Sequence, residues 1–116
     1  MNYLKFLQTL KKSLNISDSE FKTVKFFRKD IVSFWIWFCV LEQYYNNNNN
    51  NIENIISEIP KEYASRPTIF KIIDDAFSKK YLEKIIDEND KRKYNLFPTS
   101  QTIKEFEEWA KVFKGF

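Results

Sequence analysis

With 116 residues, 43% of them hydrophobic and 18% aromatic, the chain is long enough for one core and too apolar to be disordered as a whole. It contains no histidine and one cysteine, which removes histidine acid–base chemistry, the Ser-His-Asp triad, the commonest zinc sites and any internal disulfide. A net charge of +3, one glycine and three prolines point to a mildly basic, mostly helical protein. Cys39, alone in an apolar run, fits a reduced cytoplasmic setting.

In chain order, Leu4, Leu7, Leu10 and Leu14 alternate with Lys5, Lys11 and Lys12, which predicts a short amphipathic helix over 2–14. Its apolar residues are spaced, so no signal peptide is expected, and the apolar run 31–41 is too short to span a bilayer. Residues 15–19 form a break, with Ser17 or Ser19 placed to cap the next helix. The most aromatic stretch is 21–45, taken as one helix. Phe27, Ile31, Phe34, Trp35, Phe38, Cys39 and Leu41 form a wide stripe at helical spacing, and Phe26 and Trp37 add apolar surface on the other side. A helix apolar nearly all round must be covered on both sides, by its own core or by a second copy. Six asparagines at 46–51 read as a loop.

Ile52, Ile55, Ile56 and Ile59 predict a short helix ended by Pro60. After a turn at 61–64, a second helix opens at Ser65. Ser65 is its N-cap, and Pro67 is tolerated in its first turn. Ile69, Ile72, Ile73, Ala76 and Phe77 form its inner face, leaving Arg66, Thr68, Lys71, Asp75 and Ser78 outside. Strands follow at 81–86 and 94–97. The polar turn between them, 87–93, ends in Lys91, Arg92 and Lys93. On a strand these cations would alternate sides. Thr99 or Ser100 caps a final helix with Ile103, Phe106, Trp109, Ala110 and Phe113 along one side. Its acids, Glu105, Glu107 and Glu108, precede Lys111 and Lys114, an order that suits the helix dipole.

This order gives a mostly α (α+β) fold in one domain over 1–116. It is a winged helix-turn-helix with N-terminal helices over 1–45, an Asn-rich loop over 46–51, the helix-turn-helix and two-stranded wing over 52–98, and a C-terminal helix over 99–116. The Ser65 helix would be the recognition helix in a major groove, with the wing beside it. Ser65, Arg66, Thr68 and Lys71 would reach bases and phosphates, and Lys91, Arg92 and Lys93 would meet the backbone. Asp74 and Asp75 oppose this if they face DNA. No chemistry-bearing set is visible. Asp74–Asp75 and Asp87–Glu88 are adjacent pairs that do not face each other on a helix, and no metal site, P-loop or nucleotide fingerprint is present. The expectation is a non-enzyme without a cofactor.

Asp90-Lys91-Arg92, then Leu96-Phe97-Pro98-Thr99, then a helix, resembles the MarR-type transcriptional regulators, whose wing reads Asp-x-Arg before Leu-x-Leu-Thr and a dimerisation helix. The chain departs from that pattern at Pro98, in lacking a glycine after the threonine, and in having one helix after the wing rather than two. The resemblance implies a dimeric regulator of double-stranded DNA. The arginine matching Arg92 would brace the wing or enter the minor groove. Small molecules in that family bind between the dimer helices and the DNA-binding lobe, so the aromatics near Trp35, Phe38 and Trp109 would hold a small apolar effector. The expected homodimer interface joins the N-terminal helix, the C-terminal helix and part of the aromatic helix. Two alternatives stand beside this reading: a winged-helix protein-interaction module without DNA affinity, and a plasmid or phage replication or partition protein that binds DNA. Cations gathered on one face favour DNA, and acids interrupting that face favour the interaction module.

Overall fold

The computed structural model describes residues 1–15, 20–47 and 51–114. The serines expected to cap at 17 and 19 lie outside the described residues. The elements run α1 (Tyr3–Leu14), α2 (Lys22–Arg28), α3 (Ile31–Tyr45), α4 (Ile52–Glu58), α5 (Arg66–Ser78), β1 (Leu82–Ile86), β2 (Tyr94–Pro98) and α6 (Ser100–Ala110), with a 3-10 turn at Lys111–Phe113. The α+β winged-helix architecture expected from sequence is the one observed.

The aromatic stretch is two helices, not one. Asp30 leaves the helical backbone (φ −153°, ψ 169°) and its carboxylate accepts the Ser33 amide at 2.7 Å. Such a cap is worth about 1 kcal/mol, enough to favour a break where no propensity rule demands one. Phe26 and Trp37 therefore stand on different helices. Trp37, expected on the second side of a single helix, is fully buried within the protomer. It stacks on Phe27 with centroids 6.1 Å apart and meets the rings of Phe106 and Trp109. Its own chain covers most of the apolar helix α3: α2 and α6 supply those rings, and α4 is tied to it by the Cys39 thiol donating to Glu58 at 3.3 Å, while Ile31 and Phe38 stay exposed. Burial, with Glu58 second, pushes the Cys39 thiol up to about 12, which leaves it a neutral, unreactive core group.

With a single glycine in the chain, two helix ends use other residues in the left-handed region. Asn47 (φ 57°) follows α3, so the start of the asparagine run acts as a helix stop, a role asparagine tolerates. Lys80 (φ 65°) follows α5. There Tyr81 N–H donates to the Ala76 carbonyl at 2.8 Å and Lys80 N–H to that of Phe77 at 3.0 Å, a Schellman closure with lysine where glycine is usual.

The strands pair antiparallel, with Leu82 opposite Pro98, Lys84 opposite Leu96 and Ile86 opposite Tyr94. The sheet has a further edge that the sequence did not announce. Asn51, expected in the loop, bridges to Asn95 of β2 and also caps α4, its side chain accepting the Asn54 amide at 3.0 Å. The first helix of the helix-turn-helix is thereby stitched to the wing.

The final helix lies against α2 and α3. Trp109 is buried and Phe106 and Phe113 are half-buried against the core. Thr99 sits at its N-cap position, yet its hydroxyl bonds the Tyr81 carbonyl (3.3 Å) and Thr102 (3.3 Å) rather than a helix amide. Glu105 instead reaches across to α2 and accepts the amide (2.9 Å) and hydroxyl (2.8 Å) of Thr23, an acid placed at a helix N-terminus where the dipole favours it. At the chain's other end, α1 is anchored by the Ser13 carbonyl, which accepts from Trp109 Nε1 at 2.8 Å and Arg28 Nη1 at 2.9 Å. Beyond that anchor Leu4, Leu7 and Leu14 stay exposed, at 66%, 57% and 62%.

Candidate nucleic-acid interface

The helix α5 begins where Ser65 turns the backbone. Its hydroxyl accepts the Thr68 amide at 3.4 Å and meets the Thr68 hydroxyl at 3.0 Å. Ser65 and Thr68 thus satisfy each other at the helix start, and both are exposed. Ile69, Ile73 and Ala76 are buried as the period requires, while Phe77, expected inside, is 47% exposed and carries Lys84 Nζ 4.9 Å from its ring centroid. Lys84 also donates to Asp74 at 2.6 Å, so that carboxylate is turned toward β1 and partly neutralised. Arg66, Thr68, Lys71, Asp75 and Ser78 all lie on the outer face, as the spacing predicts.

The wing turn is built by two aspartates. Asp87 accepts the amides of Asn89 (2.8 Å) and Asp90 (3.1 Å) and, through its other oxygen, the side chain of Asn95 (3.2 Å). Asp90 accepts the Arg92 amide (3.0 Å) and Arg92 Nε (3.2 Å). The Asn89 amide above all holds the Asp87 carboxyl below the usual range, and Arg92 does the same for Asp90. Asp90 is thus ion-paired within the turn, with Arg92 as its partner. Lys91, Arg92 and Lys93 precede β2, so the strand alternation expected of them does not operate and all three are exposed.

The helix α5 and the wing meet at a cleft of about 480 Å³ lined by Glu53, Arg66, Phe70, Asp90, Arg92 and Lys93, among others. Three cations expected from sequence are therefore brought together from two separate elements. Lys71 and Lys91 are exposed outside this cleft. The acids were not foreseen as part of it. Glu53 of α4 makes a two-pronged ion pair with Arg66: Nη1 donates to Oε2 at 2.8 Å, and Nη2 pairs with Oε1. Arg66 hydrogen bonding holds Glu53 below the usual carboxylate range, with Lys93 acting in the same direction. No local spacing links positions 53 and 66, so no sequence signal marked the pair. A second group of lysines, Lys22, Lys25, Lys29 and Lys79, rims a shallower cleft of about 380 Å³ over Phe26 and Tyr81, at the far end of α5.

The aromatics expected to hold an apolar effector pack on one another. Phe38 lies 4.5 Å from Phe34, Trp109 is 6.4 Å from Phe34, and Trp35 meets Tyr63 at 5.7 Å. Among the described residues no group of three or more His, Cys, Asp or Glu is placed to hold a metal ion, and no helix is long and apolar enough to cross a membrane.

The transcriptional regulator Tm0710 of Thermotoga maritima superposes with a TM-score of 0.56 at 17% identity, over 92% of this chain and 71% of its own. A protein of Bacillus cereus ATCC 10987 described as a MarR-like transcription regulator superposes at 0.53 and 13% identity, over 96% of this chain and 73% of its own. The chain has the fold of the MarR-type regulators. No protein-family model and no curated protein matches the sequence. Within the MarR-type fold, α4 and α5 take the helix-turn-helix positions and β1–β2 the wing.

Proposed function

We propose that this chain is a sequence-specific, DNA-binding transcription regulator that acts as a homodimer, most simply as a cytoplasmic repressor, and that it is not an enzyme. The observation that carries the reading is the shared cleft: Arg66 from the recognition helix and Arg92 and Lys93 from the wing line one concavity. A duplex presents one phosphate charge per roughly 1.7 Å of axis, so cations on two elements that straddle a groove are the arrangement such a partner needs. The two structural neighbours described as transcription regulators support it. Ser65, Thr68 and Lys71 extend the same helix face, and Lys91 extends the wing. One short helix and one wing grip few base pairs, and pairing two subunits on a two-fold site supplies the missing affinity. The exposed leucines of α1 are the surface we assign to that pairing.

Arg66 and Arg92 are each matched by an acid, which favours the second reading, an interaction module that docks on a mixed-charge protein surface. A gel-shift titration against rising salt decides between them. DNA binding predicts affinity that falls steeply with salt, and Lys91→Ala lowers the slope of log K against log salt by about one unit. Absence of binding to any duplex at low salt favours the interaction module.

A further inference from the structure

A guanidinium is planar and carries five N–H donors on two usable edges. In Arg66 the terminal edge, Nη1 and Nη2, is taken by Glu53. The lateral edge, Nε–H with the outer hydrogen of Nη2, has no acceptor among the described residues. Phe70, one turn along α5, lies by the same group with its ring centroid 5.1 Å from Cζ. Carboxylate and ring together fix both the position and the plane of the guanidinium. Both ion-pair side chains are 54% exposed, so the clamped guanidinium stands at the protein surface on α5. Two parallel N–H donors are the complement of O6 and N7 of guanine in the major groove.

Resting on the DNA-binding reading above, we infer that Glu53 is a positioning residue: it clamps Arg66 so that the lateral edge of its guanidinium is offered to a guanine, and it thereby sets base specificity. A surface arginine is otherwise a long, mobile side chain that must be ordered on binding, and one already held loses less freedom at that moment. The clamp also works as a selector. Glu53 is ionised at neutral pH, since Arg66 and Lys93 both favour its charged form. A carboxylate there repels phosphate and prevents Arg66 from acting as a second, sequence-blind backbone contact. Glu53 thus weakens binding to DNA in general while sharpening the choice of base. The role is distinct from that of Asp90, which holds Arg92 inside the wing turn and acts on the shape of the turn.

Binding-site selection on randomised duplexes with the wild-type chain identifies the preferred site. Discrimination is then the ratio of Kd for that site with its most strongly selected G·C pair changed to A·T to Kd for the intact site. Glu53→Ala is expected to cut this ratio about tenfold while binding mixed-sequence competitor DNA more tightly and with a steeper salt slope. Glu53→Gln, which keeps the shape and one acceptor, should fall between. In an Arg66→Ala background, Glu53→Ala should not change the ratio further. A purely structural role for Glu53 would lower the melting temperature without moving the ratio. A Glu53→Ala chain that discriminates as well as wild type, or better, overturns the inference. So does a wild type that binds duplex DNA without preferring guanine at any position, an outcome that leaves the DNA-binding reading standing. A wild type that binds no duplex overturns both.

Discussion

The first and last helices carry apolar stripes of much the same kind and meet opposite fates. In α6, Trp109 is buried and Phe106 is half-buried against the chain's own core, where Glu105 caps α2 and Tyr45 donates to Glu107 at 2.6 Å. In α1, Leu4, Leu7 and Leu14 stay exposed, and the helix is held by the Ser13 carbonyl at its end. Periodicity states that a face needs cover and leaves open what provides it. Polar contacts decide here. The acids of α6 reach partners on α2 and α3, whereas the lysines of α1 lie along a helix anchored through its C-terminal turn. The interface expected from sequence joins the N-terminal helix, the C-terminal helix and part of the aromatic helix; of these, the α6 stripe of Phe106, Trp109 and Phe113 packs into the protomer's own core.

The comparison can be broken most strongly at Trp109. Trp109→Ala removes a buried ring and the donor that holds α1, and should destabilise the fold by about 3–5 kcal/mol, read as a large drop in melting temperature. Phe106→Asp belongs with it, because it places a charge against Trp37 rather than in a subunit contact. It should unfold the chain instead of merely separating subunits. Changing Leu7 to Asp tests the other half. At 57% exposure the change should alter protomer stability by less than about 0.5 kcal/mol. If α1 mediates pairing, sedimentation equilibrium shows a wild-type dimer and a folded monomeric variant. A wild type that stays monomeric at high micromolar concentration removes α1 as an interface. Lys80→Gly, at the left-handed residue closing α5, should stabilise by about 1 kcal/mol, the strain a non-glycine residue carries there. Unchanged thermal stability would show that Lys80 bears no such strain.

The smallest effect is expected at the wing. Asp87 and Asp90 have folded-state pKa values below the ordinary aspartate value of about 3.9. A depressed carboxylate contributes its stabilisation above the unfolded value and loses it as pH falls through the folded one. Wing amides of Asn89, Asp90 and Arg92 should thus keep their NMR shifts from neutral pH down to about 4 and move only below it. Movement already between pH 6 and 5 would contradict the geometry of the turn.

The middle of the chain was legible because its signals are local. The isoleucine period of α4, Pro60 after it, Ser65 opening α5 and Asp90 ahead of the cations each act within a turn or two. The break at Asp30 was missed because an all-round apolar helix has no preferred face, so nothing in its pattern flags an interruption. The edge at Asn51 was missed because a single-residue bridge shows no alternation, and six identical side chains hid the one that caps α4. The cations of the candidate site were visible as residues. The Glu53 clamp was not, since a pairing across two helices leaves no trace in spacing.

The central claim is that DNA is gripped at the α5–wing cleft, and one binding comparison tests it most directly. Fluorescence anisotropy at low salt would measure the affinity of a selected duplex for three chains: wild type, the double variant Arg66→Ala with Lys93→Ala in the cleft, and the double variant Lys22→Ala with Lys79→Ala at the far end of α5. Each double variant removes two positive charges. The cleft variant should lose at least about a hundredfold in affinity, given roughly 1–3 kcal/mol for a base-contacting arginine and a further loss for a phosphate contact, while the far-end variant stays within a few-fold of wild type. Equal losses in the two variants would mean that bulk charge, not the cleft, draws the DNA, and would contradict the account.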